Sequence, residues 1–411
     1  MNILIISHYA GAPEMGMVFR PYYFAKEWTK ANHSTTIMAA SFTHIRKTNP
    51  EVAADFDESV IDGVKYVWIK TPRYTNLFQR GINITSFVFK LQRNAKKIAV
   101  KYKPDIVIAS STYNFEIYAA AKIAKYAGAK LVYEVRDLWP LTPIELGHYS
   151  KYNPAIQLMN RAEHFAYKKS DFVISVLPCV HEYMRAHGLN LNKLIIIPNG
   201  VFKDDWSDNN IEPITDKHLL SVLQKERANG RLIVGFTGAF NQANALEYLL
   251  DAAYILKDKE ICFILVGAGT DKQHLQAYAA AKGLRNVFFF NYISKKQIPD
   301  LLQHFDIAYI GWRKLGIYRF GISPNKLMDY MMAARPVIHA VVANNDPIKE
   351  SGGGVTVEAE NPQAIADGIL KLASLPQEER QAMGKRGRDY ILKNQTYDIL
   401  AKRFFDFVTV K

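Results

Sequence analysis

The stretch Arg231-Leu232-Ile233-Val234-Gly235-Phe236-Thr237-Gly238 decides the fold. It is a short, unbroken apolar run that ends in glycine, the pattern of a parallel strand buried on both faces and turning sharply into a helix. The first residues read the same way, with Ile3 to Ile6 followed by Ser7-His8-Tyr9-Ala10-Gly11-Ala12-Pro13-Glu14-Met15-Gly16. A strand, a Gly-containing loop and a helix opening twice in one chain mark two similar halves.

Further runs of strand length follow each opening. In the first half they are Thr35 to Ala39, Tyr66 to Ile69, Ile106 to Ala109, Lys130 to Val135, Phe172 to Val176 and Leu194 to Ile197. In the second they are Ile261 to Val266, Val287 to Phe290, Ile307 to Ile310, Val337 to Ala340 and Gly354 to Val357. Helical spacing between them, as in Arg20 to Ala31 and Ile117 to Ala127, gives an α/β order and predicts two doubly wound, Rossmann-like sheets. Pro198-Asn199-Gly200 is the hinge signal. The expected domains are 1–203 and 204–395, facing an interdomain cleft, the usual place for a ligand. A last helix, within 396–411, can pack back on either one.

The 411 residues suffice for two or three domains, and 49% hydrophobic with 22% charged residues describe a globular chain. Cys179 and Cys262 are the only cysteines, which excludes a disulfide framework. The N-terminus has no basic lead, and no apolar run approaches the roughly 18 residues of a membrane span, so a cytoplasmic protein is expected. The net charge is +13, with +9 in residues 1–205 and +4 in 206–411. Neither opening completes G-x-G-x-x-G and no G-x-x-x-x-G-K-[ST] occurs, which argues against nicotinamide and P-loop chemistry. Gly16 and Gly238 instead mark two loops where phosphate-bearing ligands can approach the backbone.

The segment richest in chemistry is Gly321-Ile322-Ser323-Pro324-Asn325-Lys326-Leu327-Met328-Asp329-Tyr330, ending at Arg335-Pro336. Ser323 as N-cap, Pro324 at the first position and Pro336 as terminator predict a helix of about three turns. Its amide groups, its dipole and Lys326 converge on a place for a diphosphate, with Asn325 beside it. Asp329 lies on the same face one turn deeper, suited to two vicinal hydroxyls of a ribose. A plain Lys326–Asp329 surface pair is the competing reading.

These motifs resemble glycosyltransferase family 4, the retaining GT-B enzymes, and within it the bacterial sugar transferases of O-antigen and capsule assembly. The resemblance rests on Gly11 to Gly16 with Arg20-Pro21-Tyr22-Tyr23, Arg136-Asp137-Leu138-Trp139-Pro140, Pro198-Asn199-Gly200-Val201 and Ser323-Pro324-Asn325-Lys326 leading to Asp329-Tyr330. It implies that Asp329 closes the family's E-x7-E motif and holds the donor ribose, while the opening Glu falls on Gly321. The Arg and Lys that clamp the diphosphate in many members are replaced by Gly238-Ala239-Phe240-Asn241-Gln242, leaving Lys326 as the substitute, with Arg319 and Arg313 as weaker candidates. Phe290-Asn291-Tyr292-Ile293-Ser294 matches the stretch that reads the base, so Tyr292 and Ile293 are expected base contacts.

On the acceptor side, Arg136 stands where the family commonly has His. An arginine cannot act as a base near neutral pH but can position a phosphate. Asp137 and Glu145 are the available carboxylates, and His8 at the end of the first strand is a further candidate. In such retaining enzymes the leaving phosphate is commonly proposed to take the acceptor proton. No metal-ligand spacing occurs among the eleven His, and neither metal nor cofactor is expected.

Between Asp62 and Asp105 there is no acidic residue, while ten basic residues from Lys65 to Lys103 are interleaved with aromatics. Along Ile84 to Tyr102 this is the composition of a helix resting on anionic lipid, preferred here over nucleic acid. The expectation is therefore a retaining transfer from a nucleotide-diphosphate sugar, with UDP as the expected nucleotide, to a lipid-linked saccharide at the inner face of the plasma membrane. A UDP-sugar 2-epimerase of the same fold and a non-catalytic sugar-binding protein are the alternatives.

Overall fold

A computed structural model describes residues 1–16 and 19–410, with the Val410 side chain excepted. The chain forms two compact units, Met1–Pro198 with Tyr397–Lys411, and Asn199–Thr396. The boundary thus falls at the hinge proline rather than at residue 203.

The first unit holds β1 (Asn2–Ile6), β2 (Ser34–Ala40), β3 (Asp57–Ile61), β4 (Val64–Ile69), β5 (Ile106–Ala109), β6 (Lys130–Val135), β7 (Phe172–Ser175) and β8 (Leu194–Ile196). They form one sheet in the order β3-β4-β2-β1-β5-β6-β7-β8, parallel throughout except for the antiparallel β3–β4 hairpin. In the second unit β9 (Leu232–Ala239), β10 (Ile261–Ala268), β11 (Val287–Phe290), β12 (Ile307–Gly311), β13 (Val337–Ala340) and β14 (Gly354–Thr356) form an all-parallel sheet in the order β11-β10-β9-β12-β13-β14. Core lies on both faces of it: Ile233, Cys262 and Ile264 belong to one apolar cluster, and Val234, Phe236, Phe263 and Leu265 to the other. That two-sided burial explains why the strands read as continuous runs rather than alternating ones.

Sequence reasoning missed β3, whose Asp-Glu-Ser-Val-Ile lacks an apolar run because an edge strand buries little. The structure also corrects the reading of the basic stretch. Its expected single helix is two: α2 (Leu77–Arg93), after α1 (Arg20–Lys30), and then α3 (Ala95–Tyr102), broken at Asn94. The acids absent locally arrive through tertiary packing from the β3 side. Lys90 pairs with Asp55 at 2.8 Å, Lys101 with Glu58 at 2.6 Å and Lys65 with Glu58 at 3.8 Å. Among the described residues Arg93, Lys96 and Lys97 make no ion pair. Arg93 lies one turn beyond Phe89, the end of an apolar ridge on α2 in which Leu77 is 70% and Phe78 80% exposed and which continues through Ile82.

The motif helix of the second unit is α4 (Asn325–Met332), and the last is α5 (Tyr397–Val410). The latter packs on the first unit: Trp28 meets Phe404 at a ring distance of 4.8 Å, Tyr23 meets Tyr397 at 5.0 Å, and Arg403 donates to the Ile196 carbonyl at 2.9 Å.

At the start of α1, Arg20 is 3% exposed and ties three elements together. Its Nε donates to Glu134 on β6 at 2.9 Å, and its two amino groups donate to the carbonyls of Pro198 and Ile197 at 2.7 and 2.8 Å. Burial pushes the Glu134 pKa up, but Arg20, Arg136 and the Ser110 hydroxyl together outweigh it and hold the carboxyl below its ordinary value. Removing one partner strands a buried charge, so Glu134→Ala should cost about 3 to 5 kcal/mol. Urea unfolding should show the midpoint falling. Removing both charges with Arg20→Met and Glu134→Leu should recover much of the loss, and a double variant no more stable than the single one would refute the ion-pair account.

Candidate functional site

The second unit brings most of the expected donor residues to the carboxyl end of β9. Lys326 is half-buried, with its Nζ donating to Asn244 Oδ1 at 2.6 Å and lying 4.5 Å from the centre of the Phe236 ring. Gly238 has φ +145°, a backbone conformation that favours glycine, and a Cβ there would stand 3.0 Å from the ammonium and crowd the lysine. Burial pushes the Lys326 pKa down to about 7. Asn244 is itself fixed by donating to the Ala239 carbonyl and to Asn241, at 2.8 Å each.

Tyr330 anchors α4 by accepting from the Thr237 amide at 2.8 Å and donating back to the Thr237 carbonyl at 3.2 Å. Asp329, one turn from Lys326, does not pair with it. Its Oδ2 accepts from Lys295 at 2.6 Å, and the two side chains are 15% and 24% exposed. The expected open carboxylate is therefore a positioned one, because Lys295 reaches it from the loop after β11. That loop carries Tyr292, 48% exposed, and the buried Ile293. Lys272 holds its start by donating to the Phe290 carbonyl and to Asn291 at 2.8 and 2.7 Å.

Three expectations are corrected in this unit. Ser323 is not the N-cap: its hydroxyl accepts from the Asn199 amide at 2.8 Å, Pro324 takes the cap position, and α4 spans eight residues rather than three turns. Arg313 is not a clamp, since Glu247, Glu360 and Tyr248 engage its guanidinium. Arg319 is exposed and turned onto its own loop, with Nη1 on the Gly316 carbonyl at 2.6 Å. Asn325 is exposed at the first position of α4. Gly321 ends a short 3-10 turn at φ +84°, a conformation that a Glu there would adopt only under strain.

In the first unit Gly16 packs against Lys47, whose amide donates to the Met15 carbonyl at 2.9 Å. Arg136 is half-buried and Asp137 exposed at the carboxyl end of β6, with Glu145 beyond. Burial lowers the Arg136 pKa. His8 is not open to a ligand. It is fully buried, its Nδ1 shares a hydrogen bond of 2.6 Å with Tyr113, and Phe87 of α2 packs edge-on at 4.8 Å. Burial and then Arg46 push its pKa well below the ordinary value, so it stays neutral. Among the described residues no three His, Cys, Asp or Glu side chains group as metal ligands would, and no helix is long and apolar enough to cross a membrane.

Residues 16–200 match the family model "Glycosyl transferase 4-like domain", and residues 231–374 match "Glycosyl transferases group 1". The chain belongs to glycosyltransferase family 4. It is 24% identical over 330 residues to the putative colanic acid biosynthesis glycosyl transferase WcaI of Escherichia coli K12, covering 77% of this chain and 78% of WcaI. The probable glycosyltransferase WbjE of Pseudomonas aeruginosa is 22% identical, with 98% and 96% covered. Anabaena HepE, solved in complex with UDP and glucose, shares the fold with a TM-score of 0.68 over 100% of both chains at 14% identity. The protein is thus a glycosyltransferase of the GT-B type, related to bacterial polysaccharide-biosynthesis enzymes.

For this glycosyltransferase, Asn244 and Lys295 are the side chains of the site that sequence reasoning missed. Lys295 was within reach, as it follows the base-reading stretch directly. Asn244 had no signal, because it lies six positions beyond Gly238, at the end of a short 3-10 turn after β9. The depressed Lys326 pKa gives a direct test. Competitive acetylation read by mass spectrometry should find Lys326 half deprotonated near pH 7, whereas a free lysine titrates near 10.4. Reaction at Lys326 only at the pH of free lysine would mean that its ammonium is solvated.

Proposed function

We propose that this enzyme transfers a sugar, with retention of configuration, from a UDP-sugar to a saccharide carried on a lipid at the inner face of the plasma membrane. The observation that carries the reading is the Lys326 ammonium under Gly238 at the amino end of α4, with the Lys295-held Asp329 one turn deeper beside the Tyr292–Ile293 loop. Diphosphate, ribose and base fit that series in order. HepE, with UDP in its complex, supports the choice of nucleotide. Asp329 keeps Oδ1 for a ribose hydroxyl while Lys295 occupies Oδ2.

Charge grows on the leaving diphosphate as the glycosidic bond breaks, and a helix amino end with a lysine meets it without a metal or cofactor. The leaving phosphate then takes the acceptor proton, a route that suits an Arg136 unable to act as a base. The α2 ridge with Arg93, Lys96 and Lys97 supports docking on anionic lipid, each basic residue adding about 1 kcal/mol.

A diphosphate favours the charged form of Lys326 and raises its pKa. The charged fraction of the free enzyme is high below pH 7 and falls above it, so donor affinity should drop up to about tenfold per pH unit above 7. The diphosphate of a UDP-sugar does not titrate there. Calorimetry should find tighter binding at pH 6 than at pH 8, and Lys326→Met should weaken binding and flatten the profile. Asp329→Ala should cost roughly 1.5 to 3 kcal/mol of affinity, and EDTA should leave activity unchanged. A UDP-sugar that binds Lys326→Met as tightly as wild type at pH 6 would remove the lysine from the donor site.

A further inference from the structure

The first unit carries a group of cations that the donor chemistry does not use. Arg46 is 3% exposed, yet its guanidinium meets neutral groups: the Ala40 carbonyl at 2.5 Å, the His8 carbonyl at 3.3 Å, the Ser41 carbonyl at 3.5 Å, Asn49 at 3.1 Å and the Trp68 ring at 5.2 Å. Arg80 of α2 donates through Nε and Nη2 to the Tyr9 hydroxyl, at 3.2 and 3.0 Å. Exposed His44 is held by Tyr74 at 2.6 Å, with its ring 6.5 Å from that of Tyr9.

No carboxylate pairs with Arg46, Arg80 or His44 among the described residues, and Glu14 of the neighbouring loop pairs with none of them. Glu116, the carboxyl nearest the group, cannot serve. It is wholly buried, accepts the Ser111 amide at 2.7 Å, and burial raises its pKa to about 8, so it is neutral at pH 7. Burial of its ring, and then Arg80, lower the His44 pKa, so the standing positive charge comes from Arg46 and Arg80, and His44 gains its charge when an anion joins it.

The place has meaning in the topology. These residues follow β1, β2 and β4 at their carboxyl ends, beside β1 and β5, where the strand order of the sheet reverses. Open α/β sheets bind ligands at that point. Like charges gathered there without a counter-ion create a positive potential that an anion relieves. The opposite side of α2 carries the exposed Phe78, Ile82 and Phe89, so one helix presents Arg80 on one side and an apolar ridge on the other.

We propose that Arg80 and His44, over the buried Arg46, form an anion site that holds the phosphate or diphosphate joining the acceptor saccharide to its lipid. This rests on the lipid-linked acceptor proposed above and adds the chemistry by which the first unit recognises it. Farnesyl diphosphate, farnesol and inorganic diphosphate are the probes, titrated calorimetrically into the full chain.

Farnesyl diphosphate should bind at least tenfold more tightly than farnesol, with inorganic diphosphate competing. Arg80→Gln should weaken it at least tenfold and Arg80→Lys less, and His44→Gln should weaken it severalfold, all at unchanged thermal melting. Equal binding of farnesyl diphosphate by wild type and Arg80→Gln, or of the diphosphate and the alcohol by wild type, overturns the proposal. Vesicles of anionic phospholipid that displace farnesyl diphosphate completely overturn it in favour of a headgroup site. UDP-sugar binding by wild type, measured in parallel, separates the two readings. Donor binding without diphosphate-lipid binding refutes this site alone, and no donor binding refutes the transferase reading itself.

Discussion

Each unit keeps, near the carboxyl end of its first strand, a cation that no carboxylate among the described residues neutralises: the buried Arg46 in the first and the half-buried Lys326 in the second. Such a charge is costly in a low-dielectric surrounding, and neutral oxygens together with an aromatic face, Trp68 or Phe236, offset it. Contrast Arg20, equally buried but paired with Glu134, which fastens α1, β6 and the end of the first unit. Paired burial serves the fold. Unpaired burial leaves a positive potential, eased at Lys326 by the Asn244 oxygen and the Phe236 ring and at Arg46 by the carbonyls round it and the Trp68 ring.

The doubly wound sheets were legible because their strands obey one rule, continuous apolar runs buried on both faces, from Ile3–Ile6 to Val337–Ala340. The rule fails where burial fails. The edge strand Asp57–Ile61 opens with three polar residues, buries none of its side chains fully and pairs antiparallel, so no run announced it. The break at Asn94 was equally hidden, since Phe87, Leu91, Ile98 and Tyr102 keep helical spacing across it.

At the candidate site the sequence showed which residues cluster but not how they are partnered. Gly238 with Lys326, and Asp329 near Tyr292–Ile293, were read from spacing and resemblance, and the structure gathers them. Ser323 satisfied every rule for an N-cap yet turns its hydroxyl to Asn199, 124 residues away. His8 stood at the end of a strand, the usual address for a functional side chain, yet α2 roofs it with Phe87. Both cases share a cause: a long-range contact took over a group whose local neighbours suggested another use. The same cause neutralised Lys90 and Lys101, through acids that lie more than thirty residues away in the chain.

The departures from the resembled pattern also fit one another. Where those enzymes carry an Arg and a Lys after the first strand of the second unit and a Glu at the start of the helix motif, the sum is one positive charge. Here both cations after β9 are gone, and Gly321, at φ +84°, replaces the Glu. Lys326 restores a single positive charge from the opposite side, the helix, held by Asn244 instead of by a carboxylate. The proposed diphosphate site thus rests on one lysine whose partner is a neutral amide oxygen, with no carboxylate at position 321.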